Sequence, residues 1–214
     1  MKKIGTLPLI GLIMMAGLSF ANFSELRIAG LAIILGIIFF FVNKKREKQT
    51  ALSSGLDIKS IWRGLKRKGI WFWIILPVVV NAISISIAIL FLPKYLEHVL
   101  FRTEAFLSWN LLFLLIFQLA FFALGEEIAW RAFFQKQLSK TMPIVPAVLL
   151  TSLLFSFGHI ALGKPSVVTY DLFFVFVNSL LFGFVFYKTD NAWISAIAHF
   201  LANVSSLVFF LWIY

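Results

Sequence analysis

"FFALGEEIAWRAFF", residues 121–134, sets two adjacent carboxylates and an arginine into a stretch otherwise fit for lipid. If this stretch belongs to a membrane helix, the fold class follows, and Glu126, Glu127 and Arg131 need an explanation, because ionisable groups within a span are costly and mark a function or a partner. Outward from it, apolar runs cover 7–23, 28–42, 70–93, 107–130, 144–162, 169–187 and 192–213. Each approaches the ~20 residues that a membrane helix needs, the second and fifth being short. The runs are continuous rather than alternating, and backbone groups in lipid must pair within their own segment, so helices are predicted rather than strands. The expected fold is all-α, a polytopic transmembrane bundle of about seven to eight membrane helices, with residues 1–214 forming one integral membrane domain.

Composition agrees. The chain has 214 residues, 61% hydrophobic and only 13% charged, without a single cysteine. Several bilayer-length runs are more than one soluble core could hide. The missing cysteines exclude disulfides, thiol nucleophiles and thiolate-bound metals. A formal charge of +10 could suggest nucleic acid, but the basic residues flank apolar spans, so no nucleic-acid partner is expected. With the N-terminus in the cytoplasm, 15 of the 19 basic residues fall inside and only Arg27, Lys94, Arg102 and Lys164 outside, the asymmetry of the positive-inside rule. The opening "MKKIGTLPLIGLIMMAGLSFANF" resembles a secretory signal with small residues near Ala21, but its apolar run is long and another span follows at once, which favours an uncleaved first helix. The segment "DIKSIWRGLKRKGIWFW" mixes bases with Ile, Trp and Leu, as an interfacial helix against anionic headgroups would.

Glu127 stands four residues before Arg131, the orientation of an acid–base pair on one helix face, and a structural role is expected of both. Glu126 points about 100° away with Trp130 at i+4, so nothing local explains its charge. The next polar-marked run carries His159, four residues after Phe155, and the last carries His199 and Asn203, again four apart. Counted from a turn near Met142, Glu126 and His159 differ by only ~1.5 Å in height and could meet. His199 lies ~13 Å from its own turn against ~24 Å for Glu126, a mismatch that tilt must absorb. Together Glu126, His159, His199 and Asn203 are a set that hydrolysis can use: a partly desolvated Glu as general base toward water, with His and Asn donating to an oxyanion. Ser152, Ser156 and Ser195 read as ordinary helix-face serines, and no HExxH helix occurs. A divalent metal such as zinc on Glu126, His159 and His199, and a metal-free activated water, stand as alternatives.

These residues, in this order, resemble the CAAX protease and bacteriocin-processing family of intramembrane proteases, which includes the Ras-converting CAAX endopeptidases. Its EExxxR pattern matches Glu126, Glu127 and Arg131; FxxxH matches Phe155 and His159; HxxxN matches His199 and Asn203. The resemblance implies a catalytic core within 107–213, with Glu126 as general base, His159 orienting the water, His199 and Asn203 stabilising the oxyanion, and Glu127 with Arg131 bracing the helix. It further implies a peptide or protein substrate, lipid-modified substrates included, and a place in a bacterial cell membrane, in peptide or bacteriocin processing or in self-immunity. A non-proteolytic immunity or scaffold protein is the alternative within the family. A proton-coupled transporter is the alternative outside it. Elsewhere, His98 is expected in a solvated outer loop. Asp171 and Asn178 either line a cavity or make interhelical bonds, and Trp130, Phe133 and Phe134 read as boundary anchors.

Overall fold

The computed structural model describes residues 3–21, 28, 30–103, 108 and 111–213. Lys2 and Arg27, counted in the charge asymmetry, lie outside them. The described residues form ten helices: α1 (Thr6–Ser19), α2 (Leu31–Arg46), α3 (Ala51–Ser54), α4 (Ile61–Leu65), α5 (Ile70–Phe91), α6 (Tyr95–Thr103), α7 (Leu112–Leu138), α8 (Ile144–Phe157), α9 (Pro165–Thr189) and α10 (Ala192–Ile213). Each of the seven apolar runs contains a helix. Among the described residues, α5, α7, α9 and α10 are long and apolar enough to cross a membrane, while α1 and α8 are shorter apolar helices of 14 residues each. Four helices of spanning length and two shorter apolar ones thus stand where seven to eight spans were expected. α2 stops at Lys44, Lys45 and Arg46, which its C-terminal dipole favours, and α8 stops before Gly158.

The stretch that opened the reading is continuous helix. α7 runs to Leu138, two turns past the end of its apolar run, and its last turns include a π-helical segment, Ile128–Gln135. Wider turns of this kind are rare and gather at functional sites. All eight residues of the segment are buried. The earlier turns of α7 instead keep Phe113, Phe117 and Phe121 on the outer surface at a spacing of four, a face suited to lipid and not to water.

Two hairpins position the site. α9 begins on Pro165 at its first turn and ends at Asp190, held in the left-handed region at φ 46°, so α10 follows almost at once. Lys136 of α7 reaches Asp190 at 2.6 Å, which sets the α9–α10 turn level with Lys136 rather than with Met142. Glu126 is ten residues before Lys136 and His199 nine after Asp190, so their heights are ~15 and ~13.5 Å. The mismatch expected from the sequence disappears once the right reference turn is used. At the rear, α2 lies so close to the π segment that a Cβ on Gly36 would come within 2.5 Å of that of Ala129, and Phe39 stacks on Phe133 at 5.9 Å.

The basic segment before α5 forms a 3-10 turn, Ile58–Ser60, and the short α4, docked on the α9–α10 turn: Asn191 Nδ2 donates to the Asp57 carbonyl (2.8 Å) and to Ser60 Oγ (2.9 Å). Ile58 and Trp62 remain exposed, as an interfacial element requires. At the opposite end, α6 is not a solvated loop. His98 is buried, its Nε2 3.5 Å from Asp171, which also takes Arg102 Nε at 3.2 Å. A histidine read as loop is drawn in because α6 lays its polar face on the one acid of α9's outer half. Asn178 bonds Asn81 of α5 at 2.5 Å, the interhelical alternative of the two readings.

Candidate active site

Glu126 and Glu127 are the last residues of α7 before its π segment, at the middle of the longest of the four candidate spans. Their environments differ completely. Glu127 is wholly buried and has three polar partners: an ion pair with Arg131 Nε at 3.3 Å, His199 Nδ1 at 3.0 Å, and the hydroxyl of Ser195. Arg131 is wholly buried too. It spans to α9, donating from Nη2 to the Ser179 carbonyl (3.2 Å) and to Ser179 Oγ (2.9 Å), and its guanidinium carbon lies 4.8 Å from the centre of the Phe155 ring. One turn on, Gln135 Nε2 donates to the Gly183 carbonyl at 3.0 Å. Arg131 and Gln135 therefore fix the register of α7 against α9 at two points four residues apart. The expected brace, Glu127 with Arg131, is in place as an ion pair.

Glu126 keeps 15% of its side chain exposed and has one ionisable partner within ion-pair reach among the described residues, His199 Nε2 at 3.6 Å. The imidazole of His199 thus has a carboxylate at each nitrogen. Its faces are held as well: Phe182 stacks on it at 4.3 Å, and Phe155 meets it edge-on at 6.2 Å. His159 follows the end of α8, with Nδ1 2.9 Å from the Phe155 carbonyl and its ring 4.5 Å from the Phe155 ring. Phe155 is therefore the common wall of both histidines. Asn203 is half-buried one turn beyond His199 on α10.

The structure brings Glu126, Glu127, Arg131 and His199 into mutual contact, sets His159 against the shared Phe155, and leaves Asn203 on the same helix face as His199. It does not form the metal-binding set considered from the sequence. Among the described residues no three His, Asp or Glu side chains gather as ligands. Trp130, Phe133 and Phe134, expected as boundary anchors, are instead buried in the core around the π segment.

Ser195 was not singled out by sequence reasoning. It is fully buried, donates to Glu127 and lies 2.9 Å from the Phe182 carbonyl. The signal was available: Ser195, His199 and Asn203 fall at i, i+4 and i+8 on one face. Serine, histidine and acid are all present, yet they are not wired as a serine hydrolase. There the hydroxyl bonds the imidazole that deprotonates it. Here it donates to the carboxylate, and no base withdraws its proton.

Residues 108–205 match the family described as Type II CAAX prenyl endopeptidase Rce1-like, and the chain carries a domain of that family over this range. The match takes in Glu126, Glu127, Arg131, Phe155, His159, Ser195, His199 and Asn203. No match was found among curated proteins or solved structures.

Proposed function

We propose, from this CAAX endopeptidase domain, that the chain is an intramembrane endopeptidase whose Glu126 activates water against a peptide bond. The observation that carries the reading is His199 clasped between two carboxylates at mid-span, one of them closed off by three polar partners and the other left open. Glu126 accepts the proton of a water that His159 orients, and the water oxygen forms the new bond to the scissile carbonyl carbon. His199 and Asn203, on one face of α10, donate to the oxyanion. The proton taken by Glu126 passes to the leaving nitrogen as the C–N bond breaks. Glu127, Arg131 and Ser179 hold α7 against α9 so that these groups keep their spacing. The substrate is a membrane-associated peptide, with peptide processing or self-immunity in a bacterial membrane the setting that the resemblance favours. The concentration of basic residues at the Lys136 end of the bundle supports the reading of that end, and of the N-terminus, as cytoplasmic.

The test compares cells carrying wild type, Glu126→Ala and His159→Ala at matched membrane levels, with membrane and exported peptides followed by mass spectrometry. Products present only with wild type support the endopeptidase. Unchanged peptides beside a retained phenotype such as toxin resistance would replace it with a non-cleaving immunity or scaffold role.

A further inference from the structure

We propose that Ser195 is a positioning residue: with Arg131 it holds the Glu127 carboxylate so that His199 is fixed as the tautomer protonated at Nδ1, with Nε2 turned toward Glu126. Glu127 Oε2 accepts the Ser195 hydroxyl and is ion-paired with Arg131 Nε, which leaves Oε1 for His199. A carboxylate that accepts a hydroxyl and pairs with a guanidinium is ionised and can only accept. The ring nitrogen 3.0 Å from Oε1 must therefore carry a hydrogen, and in a neutral imidazole the other nitrogen then carries the lone pair. That nitrogen, Nε2, lies 3.6 Å from Glu126 Oε2.

The plane of the ring is held. Phe182 stacks on its face, and the Phe182 carbonyl is also tied to Ser195, at 2.9 Å. One hydroxyl thus sits between the acid that orients His199 and the backbone of the residue that stacks on it. Ser195 is one turn before His199 on α10, so the helix itself sets this spacing.

The consequence for chemistry rests on the endopeptidase reading of the same site. With Nδ1–H committed to Glu127, His199 donates from Nε2 only after receiving a second proton there, and Glu126 is the group placed to supply it. The proton that Glu126 takes from water moves to Nε2, Nε2–H then donates toward the oxyanion and the leaving nitrogen, and the ring returns to its starting tautomer. The water O–H and the scissile C–N bonds break, the C–O and N–H bonds form, and no other reactant is needed.

The experiment is nitrogen-15 NMR of the full chain, labelled at histidine and held in lipid nanodiscs. His98, His159 and His199 are the only histidines, and His199→Gln assigns the signal. Above the imidazole titration, wild type is expected to show His199 protonated at Nδ1 and bare at Nε2. Ser195→Ala should mix the tautomers, and Ser195→Thr, which keeps the hydroxyl, should restore the wild-type pattern. Peptide cleavage should fall on the order of 10-fold in kcat for Ser195→Ala, about the worth of one hydrogen bond to a charged group, with KM unchanged. A wild-type His199 protonated at Nε2 alone overturns the proposal and needs no variant to fold. So does a Ser195→Ala protein with unchanged tautomer. The expected tautomers in a protein that cleaves nothing would leave this assignment standing and overturn the endopeptidase reading instead.

Discussion

Two buried clusters in this bundle use the same chemistry and are finished in different ways. At the α6 end, Asp171 is met by Arg102 at 3.2 Å and by His98 at 3.5 Å, one acid enclosed by two basic groups with its side chain 3% exposed. At the middle of α7, two acids share one guanidinium and one imidazole, and the excess falls on Glu126, the carboxylate that is still partly exposed. Burying charge is costly unless every member is partnered. The first cluster meets that demand and holds α6 onto α9. The second meets it at Glu127 and not at Glu126, and a carboxylate left short of donors beside a histidine is what a general base requires.

The contrast fails if Glu126→Gln spares activity. Peptide cleavage by that variant is expected to drop by roughly 10²–10⁴, with thermal unfolding close to wild type, because the amide keeps the shape and loses only the base. Asp171→Asn should do the reverse. It leaves Arg102 and His98 buried without their counter-charge, at a cost of about 3–5 kcal/mol of stability in thermal unfolding, while the folded fraction cleaves at a near-normal rate. A smaller effect sharpens the role of α2, which lies outside the matched residues. Gly36→Ala forces a Cβ against Ala129 and should cost about 1–3 kcal/mol, read by the same unfolding measurement.

The smallest effect is expected at the Lys-rich end, where Glu47 meets Lys140 at 3.0 Å on an exposed surface. Partial burial, the largest single influence, opposes the charge of Glu47, but Lys140 together with hydrogen bonds from Gln49 and Asn43 holds the carboxyl below the usual carboxylate range. A lowered folded value stabilises above the unfolded pKa, and the contribution is lost as pH falls through the folded one. Glu47→Gln should therefore cost less than about 1 kcal/mol at neutral pH and nothing in acid, where unfolding of the two proteins should coincide.

Much of the site could be read from residue order alone, since the EExxxR, FxxxH and HxxxN spacings each put their members on one helix face. Glu127–Arg131 needed only the i,i+4 rule. What sequence could not give was the partner across helices. His199 pairs with both glutamates because Lys136 and Asp190 align two turns far apart in the chain, and no periodicity encodes that alignment. Ser195 was passed over because a serine on an apolar helix is ordinary until an acid is seen opposite it. His98 was misplaced for the same reason: its partner, Asp171, is 73 residues away. The number of spans is less legible than the positions of the helices, because apolar runs of similar composition become helices of unequal length.

The central claim is that Glu126, and not Ser195, performs the attack by way of water. It is tested most directly by single-turnover cleavage of a membrane peptide by wild type, Glu126→Gln and Ser195→Ala reconstituted in lipid, with intact-protein mass spectrometry during the turnover. The account predicts almost no product from Glu126→Gln, slowed but clear product from Ser195→Ala, and no peptide attached to the protein in any sample. An adduct on Ser195, with cleavage abolished by Ser195→Ala and retained by Glu126→Gln, would contradict it.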